Sequence, residues 1–420
     1  MSIRTVALDN GFRIATEDMP GLKSAAVGLY VFAGGRHERR EQNGIAHFLE
    51  HMAFKRTTTR TATEINEAIE GVGGMLNAYT GKEATAFYSR VLAEDVPLAI
   101  ELISDIILNP VFHSDDIDLE RNVILQEIGE AADMPDDMLF DGLQKSIYPR
   151  QSLGRSILGT QDLVSKFDSG DLKRFVSERY VPENMILAAA GAIDHEEVAR
   201  LAKSYFGGMA GKQPNPDAPG KFSRGEFRKS KKIEQAHLAL VFEAPGFLSP
   251  KDHVARVYSA VMGGGTSSRL FSEAREKRGL CYTVSASVNS YADTGTVLLH
   301  AVTGQRELPE MANLFVDEIK KSASDIREDE IERARTQIRV GFLMSLESPT
   351  SRIERLARYL GFFGRIPGTE EIIAQFDAVD ALKARDFAKE LIESESAAMA
   401  VYGRVKSAPR LEYLTARLSE

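Results

Sequence analysis

Two histidines and a glutamate are spaced in this sequence in a way that suits hydrolysis by a metal-activated water. His47, Glu50 and His51 form the pattern H-x-x-E-H within residues 44–54, GIAHFLEHMAF. On a helix, residues four apart lie on one face, so both imidazoles can bind the same ion. Glu50 lies beside that face without having to be a ligand. A catalytic zinc keeps a position open for water, and a nearby carboxylate can take the proton of that water.

A third ligand must come from elsewhere in the chain. The long helix predicted over residues 114–131 supplies Glu120 and Glu127, which are seven residues apart and therefore lie on nearly one face. Glu127 stands in the apolar stretch VILQEIG, where a carboxylate needs a partner such as a metal ion. Two alternatives without a metal remain at this point. The H-x-x-E-H helix could bury two hydrogen-bonded histidines, and either glutamate could lie on a solvated face.

Turn and capping signals outline the elements that would position these residues. Asp9-Asn10-Gly11 predicts a hairpin turn, and Thr61 with Glu64 has the capping-box spacing of a helix that ends near Gly71. Further elements of the first half are predicted as strands at 24–34, 74–80, 83–92 and 185–191, and as helices at 44–54, 94–108, 114–131 and from about 194.

The second half repeats this order of elements. Strands are predicted at 235–246, 281–290 and 294–302, and helices at 249–262, 307–322 and 328–347. One segment of each half can be aligned without gaps: DDIDLERNVILQE (115–127) with DEIERARTQIRVG (329–341). In this alignment Glu127 corresponds to Gly341. No H-x-x-E-H occurs in the second half, which predicts one zinc ion per chain.

The fold class predicted from this repeat is α+β, with two homologous α/β domains that face each other as a clamshell. Each domain is expected to be an antiparallel-rich sheet with helices packed on it. The N-terminal domain, 1–210, would carry the zinc ion. A Gly- and Pro-containing linker, 211–227, would join it to the C-terminal domain, 228–420, which lacks the metal.

Composition excludes several classes of protein. The 420 residues are 43% hydrophobic and 27% charged, and no apolar run approaches the roughly 18 residues that span a bilayer. The net charge of −9 argues against a nucleic-acid binder. The N-terminus shows no signal or transit peptide, and the single cysteine, Cys281, fits a reducing compartment. The expected location is therefore the cytoplasm of a bacterial-like cell.

Four segments carry a family resemblance: GIAHFLEHMAFKRT, LNAYTGKEATAFYSRV, ERNVILQEI and GGGTSSRLFSEAREKRGLCYTV. They resemble the inverzincins of the pitrilysin–insulinase family, in particular its mitochondrial-processing-peptidase-like branch, and the resemblance covers nearly the whole chain. It implies that His47, His51 and Glu127 bind Zn²⁺ and that Glu50 is the general base. It also implies that Glu120 supports a metal ligand from outside the coordination sphere.

The resemblance also implies sites for the substrate. Asn77-Ala78-Tyr79 matches the strand on which the family binds peptides by backbone pairing, and Phe54 matches a residue near the pocket on the leaving side of the scissile bond. An ordinary sheet strand and simple helix packing are the respective alternatives. Asp137 and Asp141, four residues apart, match acids that hold an arginine before the cleavage site. A solvated acidic helix face is the alternative reading of that pair.

Two further residues come from the second half. Arg275 and Tyr282 match an Arg/Tyr pair that the second domain contributes to catalysis, with Tyr282 suited to stabilise an oxyanion. A surface charge is the alternative for Arg275. The remaining histidines show no ligand spacing and are expected to be surface or satisfied core residues: His37, His113, His195, His237, His253 and His300.

The function expected from these observations is a zinc-dependent endopeptidase that cleaves peptides or unfolded segments, with a preference for arginine near the cleavage site. A general oligopeptide-degrading peptidase is one alternative. A non-catalytic core or partner subunit is the other, although such relatives tend to lose metal ligands and this chain keeps them. The resemblance implies a homodimer or a heterodimer with a paralogous subunit. No nucleic-acid or membrane partner is expected.

Overall fold

The computed structural model describes residues 3–214 and 217–420, which form two compact units. Unit 1 comprises the chain up to Gly129 together with Arg155–Asp217 and Leu343–Ile366. Unit 2 comprises Glu130–Gly154, Ala218–Phe342 and Pro367–Glu420. Unit 1 is formed mostly by the first half of the sequence but includes Leu343–Ile366 from the second half. Unit 2 is formed mostly by the second half but includes Glu130–Gly154 from the first.

Unit 1 is built on a six-stranded sheet. Its strands are β1 (Ile3–Ala7), β2 (Arg13–Asp18), β3 (Ser24–Val31), β4 (Met75–Thr80), β5 (Thr85–Leu92) and β6 (Met185–Gly191). Its helices are α1 (Ile45–Ala53), α2 (Ala62–Glu70), α3 (Val96–Leu108), most of α4 (Ser114–Asp133), α6 (Gln161–Val164), α7 (Ser169–Arg179), α8 (His195–Phe206) and α12 (Pro349–Phe363).

Unit 2 is built on a five-stranded sheet. Its strands are β7 (Glu226–Ser230), β8 (Ala236–Ala244), β9 (Cys281–Ser290), β10 (Gly295–Thr303) and β11 (Ala398–Gly403). Its helices are α5 (Pro135–Ile147), α9 (Asp252–Gly263), α10 (Leu308–Asp325), most of α11 (Glu328–Ser345), α13 (Thr369–Asp377), α14 (Ala381–Glu393) and α15 (Leu411–Ser419). A π-helical segment at Phe271–Lys277 precedes β9.

The two sheets share one topology. The strand order is β1-β2-β6-β3-β5-β4 in unit 1 and β7-β11-β8-β10-β9 in unit 2. In both, the first matched pair is parallel (β2 with β6, and β7 with β11), and the pairs that follow are antiparallel. This correspondence confirms the predicted α+β class with two homologous, antiparallel-rich domains.

Each sheet has one face covered by a helix from the opposite half of the sequence. In α12, Ile353, Leu356, Ala357 and Leu360 recur with helical spacing and pack against one face of the unit 1 sheet. In α5, Leu139, Leu143 and Ile147 do the same against the unit 2 sheet. The sequence predicted a helix face for Asp137 and Asp141 without giving that helix bounds, and it did not predict α12. The expected domains, 1–210 and 228–420, include no exchange of helices of this kind.

The elements predicted around the motif are present. The Asp9-Asn10-Gly11 turn joins the antiparallel strands β1 and β2, with Gly11 at a φ of 88°. Thr61 caps α2 through a capping box with Glu64, as predicted. The predicted linker overlaps β7, which begins at Glu226. Among residues 3–214 and 217–420, no helix has the length and apolar character that crossing a membrane would require.

Candidate metal centre

Helix α1 turns its motif residues to one side and buries the other. His47, Glu50 and His51 are partly exposed. The opposite side enters the core of unit 1 through Ile45, Ala46, Phe48, Leu49, Met52 and Ala53. The apolar positions thus fix the rotation of the helix, and the three motif side chains share what remains of its surface.

A buried carboxylate fixes where α1 begins. Glu38 Oε2 accepts hydrogen bonds from Gly44 N and from Asn43 Nδ2, each at 3.0 Å, and Glu38 Oε1 accepts one from Ala46 N at 3.0 Å. Gly44 has a φ of 100°, and a Cβ there would lie 2.8 Å from Gly159 Cα, so this position requires glycine. Burial raises the pKa of Glu38 to about 7, while Asn43 and the two backbone N–H groups act in the opposite direction.

Three potential ligand atoms converge between α1 and α4. Glu127 Oε2 lies 3.6 Å from His47 Nε2 and 3.5 Å from His51 Nε2. The two imidazole rings meet edge to face, with centroids 4.7 Å apart. Ligands of a tetrahedral zinc ion with bonds of about 2.0–2.1 Å are separated by roughly 3.3 Å. The structure therefore brings the three predicted ligands together at nearly the spacing that one ion needs.

The donor set also fits zinc chemically. Burial, followed by the neighbouring His51, lowers the pKa of His47 to about 4, so this ring is neutral at pH 7 and can bind a metal. Two imidazole nitrogens and one carboxylate oxygen leave a fourth position for water. Nδ1 of His47 is buried and has no hydrogen-bond partner in the part of the chain that the structure describes.

Glu120 contacts a candidate ligand, and Glu50 is near enough to His51 and Glu127 for their charges to act on its pKa. Glu120 Oε2 lies 2.9 Å from His51 Nδ1, and Glu120 Oε1 pairs with Lys55 Nζ at 2.5 Å. This contact can orient His51 so that Nε2 faces Glu127. Burial raises the pKa of Glu50, whereas hydrogen bonds from Thr80 and the nearby His51 lower it.

The predicted peptide-binding strand lies at the edge of a sheet. β4 carries Asn77, Ala78 and Tyr79 and pairs only with β5 among the described strands. Its other edge is open to backbone pairing, which is how an added strand binds. α1 packs against β4, so this edge runs beside the motif helix. Phe54 follows α1, is half-buried, and packs against the core, in line with the packing alternative.

The Arg/Tyr pair is brought together within unit 2. Arg275, in the π-helical segment, places its guanidinium carbon 4.7 Å from the ring centroid of Tyr282 on β9 and 4.8 Å from that of Phe271. The Tyr282 side chain is 73% exposed. The two residues thus form one exposed cation–π unit.

The predicted arginine-binding acids lie on α5. Asp137 and Asp141 are both exposed, and neither has a salt-bridge partner among residues 3–214 and 217–420. Their spacing of four places them on one helix face. They are therefore available to an external cation.

Sequence reasoning missed two features that the structure brings out. Glu38 gave no motif signal, because its capping role depends on a loop that returns to α1. His237 and His300 had been expected to be surface or satisfied core residues. His237 is buried and hydrogen-bonded to Asp136, as a satisfied core residue would be, whereas His300 Nε2 is buried without a hydrogen-bond partner among the described residues. Nothing in the sequence indicated that both histidines lie with Asp136, with one potential ligand atom from each within 4.8 Å of the others. Only β-pairing and helix packing bring these three together.

Comparisons with known proteins place the chain in a family. Residues 13–161 match the family model described as insulinase (peptidase family M16), and residues 166–338 match the peptidase M16 inactive domain. The chain is 38% identical to an uncharacterized zinc protease of Rickettsia bellii (strain RML369-C), over 94% of this chain and 96% of that protein. It is 34% identical to the mitochondrial-processing peptidase subunit beta of Saccharomyces cerevisiae, over 99% and 94% of the two chains.

A solved structure shares the fold. A protease from Helicobacter pylori superposes with a TM-score of 0.88 and 22% identity, over 96% of this chain and 99% of that one. The fold and the two family models define a two-domain protein of the peptidase M16 class. The chain belongs to the insulinase family, peptidase family M16, which confirms the resemblance seen in the sequence.

Glu38→Gln should destabilise the fold through the start of α1. One carboxylate oxygen becomes an NH₂ group that cannot accept from Gly44 N or Ala46 N, leaving a buried donor unsatisfied. The expected loss in the free energy of unfolding is roughly 1–3 kcal/mol. Urea denaturation measures the loss, and hydrogen exchange should show faster exchange at these two amides. Glu41→Gln, an exposed acid in the same loop, is the control and should leave both readouts unchanged. Equal midpoints for the two variants would contradict the capping role.

Proposed function

We propose that this chain is a zinc-dependent endopeptidase in which His47, His51 and Glu127 hold the ion. The observation that carries the proposal is the convergence of the three ligand atoms, with Glu127 Oε2 3.5–3.6 Å from both Nε2 atoms. Membership of a peptidase family and the zinc-protease names of the relatives support it. Peptides or unfolded protein segments are the proposed substrates.

Glu50 is the proposed general base. A zinc ion at this centre would supply Lewis-acid chemistry and lower the pKa of a bound water. The Glu50 carboxylate would take the proton of the attacking water and pass it to the nitrogen of the leaving amine. Burial raises the pKa of Glu50, which suits a group that must both accept and release a proton near neutral pH. Glu120 would orient His51 through its contact with Nδ1.

Substrate binding is assigned to β4. A peptide would pair with the open edge beside Asn77, Ala78 and Tyr79, so that backbone hydrogen bonds hold it in an extended conformation. Tyr282 is the proposed oxyanion donor, with Arg275 holding its ring by the cation–π contact. Phe54 keeps a proposed role at the subsite on the leaving side. Its packing against the core limits how far the ring can move.

A preference for arginine near the cleavage site is assigned to α5. Asp137 and Asp141 offer two exposed carboxylates on one face, and a guanidinium can bind two carboxylates through charge-assisted hydrogen bonds. Lysine has no planar fork of donors and should be bound less well. This preference distinguishes a site-selective processing enzyme from a general oligopeptide-degrading one.

The proposed assembly is a dimer of two copies or of one copy with a paralogue. One relative is named as a subunit, the mitochondrial-processing peptidase subunit beta of Saccharomyces cerevisiae. Analytical ultracentrifugation at micromolar concentration should show a species of about twice the chain mass of 46.3 kDa. Sedimentation of the 46.3 kDa species alone would contradict a homodimer. A partner captured with the purified chain would then be examined for a related sequence.

Glu50→Gln should lower peptide hydrolysis by roughly 10²–10⁴-fold, the usual contribution of a general base, while zinc stays bound. The amide keeps the size of the side chain but cannot take a proton, and the ligands are elsewhere. Peptide cleavage and zinc content by mass spectrometry are measured on the same sample. Glu67→Gln, an exposed glutamate on α2, is the control and should behave like wild type. Wild-type turnover by Glu50→Gln would remove Glu50 from the base role.

Asp137→Asn/Asp141→Asn should weaken selection of arginine two residues before the scissile bond. Each lost contact to the guanidinium should cost roughly 1.5–3 kcal/mol, the range for hydrogen bonds to charged groups. The measurement is the ratio of kcat/KM for arginine and norleucine peptides in the two enzymes. Glu130→Gln, which removes an exposed acid from the neighbouring α4, is the control for net charge. An unchanged ratio in the double variant would show that these aspartates do not read the substrate.

A further inference from the structure

A second group of metal-ligating side chains lies within unit 2, far in sequence from the H-x-x-E-H motif. Asp136 lies in the first turn of α5, His237 on β8 and His300 on β10. One potential ligand atom from each lies within 4.8 Å of the other two. We propose that Asp136, His237 and His300 bind a divalent metal ion, and that Zn²⁺ is the ion they suit best.

The sheet register brings the two histidines together. His300 pairs with Ala239, and His237 pairs with Val302, so the histidines are diagonal neighbours on the same face of adjacent strands. Their ring centroids are 6.3 Å apart and the rings are nearly parallel, at 27°. α5 packs on this face, as its contacts with Ala239 and Leu298 show, and so places Asp136 beside both rings. All three side chains are therefore held by regular structure.

The side chains alone leave one polar atom unsatisfied. His237 Nδ1 lies 2.7 Å from Asp136 Oδ1, a hydrogen-bond distance. His300 Nε2 lies 3.7 Å from the same oxygen, is buried, and has no hydrogen-bond partner within the residues that the structure describes. A buried ring nitrogen without a partner is costly. A metal ion coordinated by Asp136 would give His300 Nε2 a partner without burying a further polar group.

The spacing suits a zinc-sized ion. The two distances from Asp136 Oδ1, 2.7 Å and 3.7 Å, lie on either side of the roughly 3.3 Å that separates ligands of a tetrahedral zinc. Shifts of about half an ångström would bring both of these distances to that value, and the two histidine nitrogens lie within 4.8 Å of each other. Burial lowers the pKa of His300, which favours the neutral ring that a metal requires.

The surroundings leave a route for the ion. The Asp136 side chain is 54% exposed, whereas both histidine side chains are 11% exposed, so the carboxylate marks the open side of the group. Water can complete the coordination from that side. Two imidazoles with one carboxylate is a donor set that first-row divalent metals accept. The ion would join the start of α5 to β8 and β10.

The test needs a protein without the first proposed zinc site. His47→Gln/His51→Gln removes two ligands of that site and should still bind about one zinc ion per chain, against about two in wild type. Adding Asp136→Asn or His300→Gln to this background should remove the remaining zinc. His253→Gln is the matched control, because His253 is a partly buried histidine of unit 2 that packs edge to face against Phe376. It should leave zinc content unchanged.

Two readouts separate metal binding from folding. Zinc per chain is measured by mass spectrometry after dialysis against zinc-free buffer and titration with ZnCl₂. Thermal unfolding is followed in parallel: ZnCl₂ should raise the midpoint of His47→Gln/His51→Gln, because an ion that binds only the folded state stabilises it. With Asp136→Asn added, the midpoint without zinc should be similar and the rise should vanish. The Asp136 side chain is half exposed, so Asp136→Asn is expected to fold even if His300→Gln does not.

The outcomes distinguish the two sites. A folded His47→Gln/His51→Gln protein that binds no zinc overturns the second site and leaves the peptidase centre standing. Retention of its zinc after Asp136→Asn and after His300→Gln also overturns it. One zinc in wild type that persists in His47→Gln/His51→Gln and is lost in His300→Gln supports the second site and contradicts the first. X-ray absorption of the remaining zinc in His47→Gln/His51→Gln should show two imidazole ligands.

Discussion

The placement of α1 is the constraint on which the candidate site depends. Glu38 meets the unpaired N–H groups at the start of the helix with a buried carboxylate, and the apolar residues of α1 fix its rotation against the core. Once position and rotation are set, His47 and His51 have one common direction in which to point. Glu127 then needs only the packing of α4 to reach both rings. A loop residue outside the group of candidate ligands thus determines where those ligands meet.

The repeated sheet shows how one architecture supports different sites. The two sheets share strand order and polarity. In the sequence repeat, however, Glu127 corresponds to Gly341, and the second half has no H-x-x-E-H. In unit 1 the candidate ligands lie on α1 and α4, whose apolar residues belong to one core cluster. In unit 2 the histidines that come together lie on the strands themselves, under α5. A sheet covered on both faces offers both kinds of position, because helix packing and strand register each fix side chains to within a fraction of an ångström.

The grouping of the candidate ligands in unit 1 was largely predictable from the sequence, because H-x-x-E-H is a local pattern and a helix converts it directly into geometry. The turn at Asp9-Asn10-Gly11 and the capping box at Thr61 were predictable for the same reason. α12 was missed, since its apolar residues face a sheet formed some 160 residues or more earlier in the sequence. Asp136, His237 and His300 share no local spacing, and only tertiary structure brings them together. Glu38 was missed because its partners lie across a loop turn.

Because helices are exchanged between the halves, unit 1 cannot finish folding until part of the second half has been synthesised. The sheet of unit 1 has all its strands once β6 has left the ribosome, but one of its faces waits for α12, whose last residue is Phe363. Until then Ala15, Ala26 and Ile186 line an uncovered apolar surface. Synthesis at about 5–20 residues per second makes that interval many seconds long. During that interval the nascent chain exposes an apolar sheet face to which chaperones can bind. For the same reason, the N-terminal half expressed alone should be poorly soluble.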